Sequence, residues 1–268
     1  MPQLRRIPKA GLVGVVAGVI ALAVVFWPGT SDPEPEVPVE RHKLALMTSL
    51  PIYWPEGSDI ASLVDKHSET PWVRETLERR YEITPLDSLT GNEGEPAPIK
   101  QFEWLVIAQP RGLSPADNEG LDAWVREGGK LLYVLDPMLT GHYSVALSDP
   151  SHPTAVGLIP PVILRWGMTL RFDDFQPLEL READYGKSTV PVQVAGEVIL
   201  LEEFEGLSDD QSAARGNCTI LGDGIAAQCS VGAGQVFLLA DAAILEMPDA
   251  QGPAEEQLLS LLEHAFEE

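Results

Sequence analysis

The chain has 268 residues, 44% hydrophobic and 22% charged, a balance that supports a buried core and excludes a disordered polymer. Its 41 Asp and Glu against 18 Lys and Arg leave a net charge of −23, which repels phosphate and anionic headgroups and excludes nucleic-acid binding. Two cysteines exclude a disulfide-dense scaffold and a four-thiolate zinc site.

Arg5, Arg6 and Lys9 precede Gly11–Trp27, seventeen residues without a charge. At 1.5 Å per residue such a helix reaches about 26 Å, close to a bilayer core of roughly 30 Å. It reads as a single-pass transmembrane anchor of the inner membrane, with residues 1–10 inside and the rest extracytoplasmic, in the periplasm. Ala21-Leu22-Ala23 leaves a cleaved signal peptide open, and a buried core helix is the third reading. Residues 28–42 interleave Pro28, Pro33, Pro35 and Pro38 with acids, which predicts a stiff tether. One domain is expected over 43–268.

Within it, Lys43–Leu50 is a short apolar run that predicts a strand buried on both faces. Thr70-Pro71 predicts an N-cap and a first-turn proline for a helix whose stripe is Trp72, Val73, Leu77 and Tyr81. Tyr81–Leu89 predicts a strand with its loop. The clearest unit is Phe102–Asp136. Trp104–Ala108 is a buried strand, Ser114-Pro115-Ala116-Asp117 opens a helix, Gly128-Gly129 stops it, and Lys130–Leu135 is the next strand. Strand, helix and strand predict a crossover between parallel strands. Thr189–Leu201 alternates as a β-branched strand, Gly232-Ala233-Gly234 is a turn, and Ala254–Phe266 carries a wide apolar helical face. The expected class is α/β, a doubly wound mostly parallel sheet with a strand-rich C-terminal part, behind an N-terminal transmembrane helix.

Three stretches, "LVIAQP…LSPADNEGLDAWVREGGKLLYVLDP", "VILRWGMTL" and "GAGQVFLLADAAIL", resemble the auxiliary extracytoplasmic domains of GldG-type ABC transporters. The matching features are Trp104–Asp136, Trp166-Gly167 and Val236–Asp241, and the resemblance runs from about Leu44 onward. It implies a flavodoxin-like, class I glutamine-amidotransferase-like fold, and ABC-transporter permease or ATPase subunits or other envelope proteins as partners. True amidotransferases set a cysteine on a strained strand-to-helix turn. Here Asp136-Pro137-Met138 and Gln109-Pro110-Arg111 follow the strands, so a thiol mechanism is not expected.

Cys218 and Cys229 flank Gly222-Asp223-Gly224 symmetrically, as cross-strand partners of a hairpin would. A two-residue turn sets them at the wider kind of pair, and a four-residue turn favours a bond. A structural disulfide, two free buried thiols, and a redox or metal role stay open. Gly-x-Ser-x-Gly and His-Glu-x-x-His are absent from the sequence, and no cofactor or metal is expected. Asp173-Asp174 reads as a solvated turn in preference to an acid–base or cation pair.

Ligands of open α/β sheets sit beyond the carboxyl ends of the strands. Those ends supply Tyr53, Trp54, Gln109, Arg111, Asp136, Met138 and Asp241, groups that suit a glycan or a peptide. The competing reading has Asp136 and Asp241 capping neighbouring backbone, with Tyr53 and Trp54 packed on the loop beneath. The leading expectation is a membrane-anchored, extracytoplasmic, non-catalytic accessory or recognition domain. An exported glycan or peptide hydrolase and a purely structural tethered domain are the alternatives.

Overall fold

The computed structural model describes residues 41–56, 70–92, 94–149, 151–201, 215–250 and 252–266, which belong to the compact unit Arg41–Glu268. Seven strands form its main sheet in the order β2-β1-β3-β4-β11-β10-β9. They are β1 (His42–Thr48), β2 (Tyr81–Pro85), β3 (Trp104–Ala108), β4 (Lys130–Val134), β9 (Asn217–Leu221), β10 (Ala226–Val231) and β11 (Gly234–Leu239). β2, β1, β3, β4 and β11 run parallel, and β10 and β9 continue the sheet antiparallel.

β3 and β4 are buried along nearly their whole length, as central parallel strands covered on both faces must be. On one face, α1 (Trp72–Glu78) and α5 (Ala254–Phe266) pack Val73, Leu77, Leu258, Leu261 and Phe266 against Leu44, Val106 and Leu132. The Phe266 ring stacks 5.3 Å from Trp104, and Lys130 Nζ donates to the Phe266 carbonyl. On the other face, α2 (Pro115–Arg126) and α3 (Pro161–Arg165) cover Leu105, Ile107, Leu131 and Tyr133 with Leu121, Trp124, Val125 and Ile163.

α2 starts as the sequence predicts. Ser114 Oγ accepts from Asp117 N at 3.0 Å and donates to Asp117 Oδ2 at 2.7 Å, and Pro115 occupies the first turn. α1 starts differently: Pro71 is itself the N-cap, with no side-chain cap hydrogen bond. Thr189–Leu201 is two strands, β7 (Thr189–Val192) and β8 (Glu197–Leu200). Val194 at φ 58° breaks the run, and the halves pair in separate two-stranded sheets, β7 with β6 (Arg181–Asp184) and β8 with β5 (Met168–Arg171).

The expectation of a doubly wound sheet behind an N-terminal transmembrane helix is corrected. The strand-rich C-terminal part contributes to the main sheet itself: β11 inserts beside β4 and short turns fold β10 and β9 back on it, so the sheet is mostly parallel with an antiparallel edge. The helical cover is also thin, with a four-residue 3-10 turn (Pro98–Gln101) between β2 and β3. No helix among the described residues is long and apolar enough to cross a membrane, and the single-pass anchor read over 11–27 lies outside them, as do the basic N-terminus and most of the tether.

Cys218 and Cys229 form a disulfide. Residues 222–225 make a four-residue connection between β9 and β10, which brings the two cysteines directly opposite with Cα atoms 4.0 Å apart. Asp223 at φ 53° and Gly224 at φ 95° let the chain reverse there.

Candidate functional site

At the carboxyl ends of β3, β4 and β11 the chain leaves the sheet through Gln109, Asp136 and Asp241, which are 0%, 0% and 1% exposed. Gln109 has the left-handed φ of 45° that a reactive residue on a strand-to-helix turn would have, yet its amide points inward. Its Oε1 accepts from Asp136 N at 2.9 Å, and its Nε2 donates to Asp136 O at 2.9 Å and Thr154 O at 2.8 Å. Ser49 Oγ closes the same stitch, donating to Gln109 O at 2.5 Å and accepting from Thr154 N at 3.0 Å. These bonds offset a backbone strain of about 1–3 kcal/mol.

The acids are equally engaged. Asp136 accepts from Met138 N at 2.8 Å and Ala242 N at 2.9 Å, and Asp241 from Gln193 N at 2.8 Å and Ala243 N at 2.7 Å. A third carboxylate, Glu246 at the end of α4 (Ala243–Glu246), accepts from Thr140 N, Gly141 N and Tyr143 Oη at 3.1, 3.0 and 2.5 Å. Together these carboxylates tie the loops after β4 and β7 to the loop and short helix after β11.

Burial pushes the Asp136 carboxyl up to about 6, against the two backbone donors that favour its charge. Burial, then the charge of Asp136, raises Asp241 well above the usual carboxylate range. Burial and the neighbouring Glu246 raise the Tyr143 phenol. These are the raised values of an acid catalyst, but a catalyst must reach its substrate, and the Asp136 and Asp241 oxygens face backbone amides while the Tyr143 hydroxyl is bound to Glu246.

The remaining sequence-predicted residues lie apart from this stitch. Tyr53 and Trp54 stand edge to face with ring centroids 4.8 Å apart. The Arg74 guanidinium lies 4.2 Å over Tyr53, donates to Tyr53 O at 3.1 Å and pairs with Glu78 at 2.7 Å. Trp54 and Met138, 48% and 45% exposed, reach solvent, and Arg111 is exposed on the loop after β3. The structure thus brings Gln109, Asp136 and Asp241 together and leaves Tyr53, Trp54 and Arg111 outside that network. The expectation that Asp136 and Asp241 cap backbone matches these hydrogen bonds.

Sequence reasoning missed Ser49, Tyr143, Gln193 and Glu246. No local motif marks them, since Glu246 meets Gly141 across 105 positions. Among the described residues no cluster of His, Cys, Asp and Glu could hold a metal ion. Asp173 sits in an exposed turn, its Oδ1 accepting from Phe175 N at 2.9 Å.

No protein-family model matches the chain and no curated protein matches it. Among solved structures, the β-galactosidase from Bacillus circulans sp. alkalophilus superposes with a TM-score of 0.46 at 12% identity, over 83% of this chain and 31% of that one. An exo-β-1,4-mannosidase from Opitutaceae bacterium strain TAV5 gives 0.41 at 14% identity, over 84% and 36%. A cytoplasmic protein from Salmonella typhimurium gives 0.45 at 12%, over 83% and 98%. The chain thus spans about a third of the length of the two glycosidases it is similar to.

Proposed function

We propose that this chain is a non-catalytic recognition domain that works outside the cytoplasm as an accessory part of a larger cell-envelope or ABC-transporter assembly. The observation that carries this reading is the state of Asp136 and Asp241. Both are buried, and the oxygens of both accept backbone N–H groups, which leaves neither free to protonate a leaving group or activate water. The Cys218–Cys229 disulfide supports an oxidising compartment. The resemblance to GldG-type auxiliary domains supports the accessory role.

Purification of the full-length chain from its source cells, with mass spectrometry of what accompanies it, tests the reading. Transporter or envelope subunits at near-stoichiometric yield are expected, and recovery of the chain alone overturns the accessory role. Assays on chromogenic glycosides, glycan polymers and peptides are expected to show no turnover. Turnover abolished by Asp136→Asn or Asp241→Asn overturns the non-catalytic role.

A further inference from the structure

Residues 172–180 connect β5 to β6 and turn four large apolar side chains to solvent: Phe175 is 91% exposed, Leu178 68%, Leu180 52% and Phe172 37%. Their backbone is nonetheless held. Gln176 Nε2 donates to Ala195 O at 2.7 Å and Asp173 O at 2.9 Å, and Gln193 Nε2 donates to Leu178 O at 2.6 Å. A pinned loop that keeps its hydrophobic side chains outward forgoes burial that a folded chain ordinarily gains, and a patch of this kind marks an interaction surface.

The loop borders a cleft of about 360 Å³ between the two small sheets and the β9–β10 turn. Five carboxylates line it, Asp184 and Asp223 among them, against two guanidinium groups, Arg171 and Arg181. Arg171 is already neutralised by Glu197, its Nε lying 3.0 Å from Oε2. Asp174 and Glu179 extend the negative field along the loop. Gly222 and Gly224 keep the cleft wall close: a Cβ at Gly222 would stand 2.1 Å from the Asp184 carbonyl, and one at Gly224 would stand 2.6 Å from Glu197 Cγ.

We infer that this loop and cleft dock a basic, apolar-bearing polypeptide segment of a partner protein, with Lys or Arg entering the acidic cleft and apolar side chains covering Phe175 and Leu178. The charge pattern selects this occupant. An anionic lipid surface would meet a carboxylate-rich rim, and a second copy of this chain would set acid against acid on a molecule of net charge −23. The inference rests on the recognition reading above and names the chemistry of the partner.

The test uses fluorescence anisotropy with a labelled amphipathic peptide of Lys and Leu, beside peptides with Glu for Lys or Ser for Leu. Saturable binding of the Lys/Leu peptide alone is expected. It should weaken by about tenfold or more in Phe175→Ser/Leu178→Ser, in Asp173→Asn/Asp174→Asn/Glu179→Gln, and when NaCl rises from roughly 0.05 to 0.3 M. All these side chains are exposed, so circular dichroism and melting of the variants should match the parent. Absence of binding, or equal binding by the loop variants, overturns the inference. So does association with phosphatidylglycerol vesicles, or self-association in sedimentation, that Phe175→Ser abolishes. If the peptide fails to bind while the chain still co-purifies with an assembly and turns over nothing, the docking surface falls and the recognition reading stands. Substrate turnover removes the recognition reading itself.

Discussion

The strand-end region and the β5–β6 region place polar and apolar chemistry in opposite ways. At the strand ends, carboxylates that elsewhere would meet a ligand are buried and joined to backbone amides. On the small sheets, four large apolar side chains and an excess of acids face outward over an open cleft. The contrast teaches that the location a fold class makes available for a ligand can be converted to structural stitching, while peripheral strands carry outward apolar and acidic groups.

Substitutions should separate the two regions by size of effect. Asp241→Ala leaves the part-buried N–H of Gln193 and the buried N–H of Ala243 without an acceptor, and urea unfolding should show a loss of roughly 2–4 kcal/mol. A loss below about 0.5 kcal/mol would undo the stitching account. Reduction of the disulfide, or Cys218→Ser/Cys229→Ser, removes a cross-link that closes a separation of 11 residues and should lower stability by roughly 2–3 kcal/mol.

The strand ends should also leave a mark on the pH profile. The Asp136 carboxyl titrates at about 6 in the fold against an ordinary 3.8, so the folded chain binds more protons than the unfolded one between those values. Stability therefore falls as pH rises from about 4 past 6, by an amount on the order of 3 kcal/mol. Asp117 acts in the other direction. Despite the burial that opposes ionisation, hydrogen bonds from Ser114, Leu89, Thr90 and Ser88 hold it below its ordinary value, so its contribution is lost as pH falls below about 4. Denaturant midpoints across pH should peak on the acid side of neutrality, and Asp136→Asn should flatten the limb between pH 4 and 7. A smaller effect is expected at Tyr133, whose buried hydroxyl has no partner among the described residues. Tyr133→Phe should stabilise the fold by about 1 kcal/mol, read from the melting temperature. Phe175→Ser should change stability by less than about 0.5 kcal/mol.

How far the sequence foretold this depends on how local each determinant is. The β3–α2–β4 unit is legible because its strand, cap and helix stop lie within one continuous stretch, and Ser114 meets Asp117 three positions away. The hairpin that pairs Cys218 with Cys229 is legible for the same reason, while the length of its turn, which decides the bond, was left open by the sequence. The division of Thr189–Leu201 was hidden, because which sheet each half joins is decided by β5 and β6, outside that run. At the candidate site the residue types at the strand ends were visible, but their orientation was not. Gln109 points inward because Asp136 and Thr154 receive it, and Asp241 is closed by Gln193, 48 positions away. Asp173-Asp174 was legible as a solvated turn, but the outward direction of Phe172, Phe175 and Leu178 was not, since no local signal says which way side chains interleaved with acids face.

The place of β11 in the sheet order bears on how the molecule is made. β4 waits about a hundred residues of synthesis for the strand that pairs with its free edge, and β10 and β9 can join the sheet only through β11. A nascent chain released before Leu239 would expose an apolar parallel edge able to pair with another chain. Completion of the sheet is therefore a late event of high contact order, and the apolar edge of β4 stays open to misassociation throughout that interval.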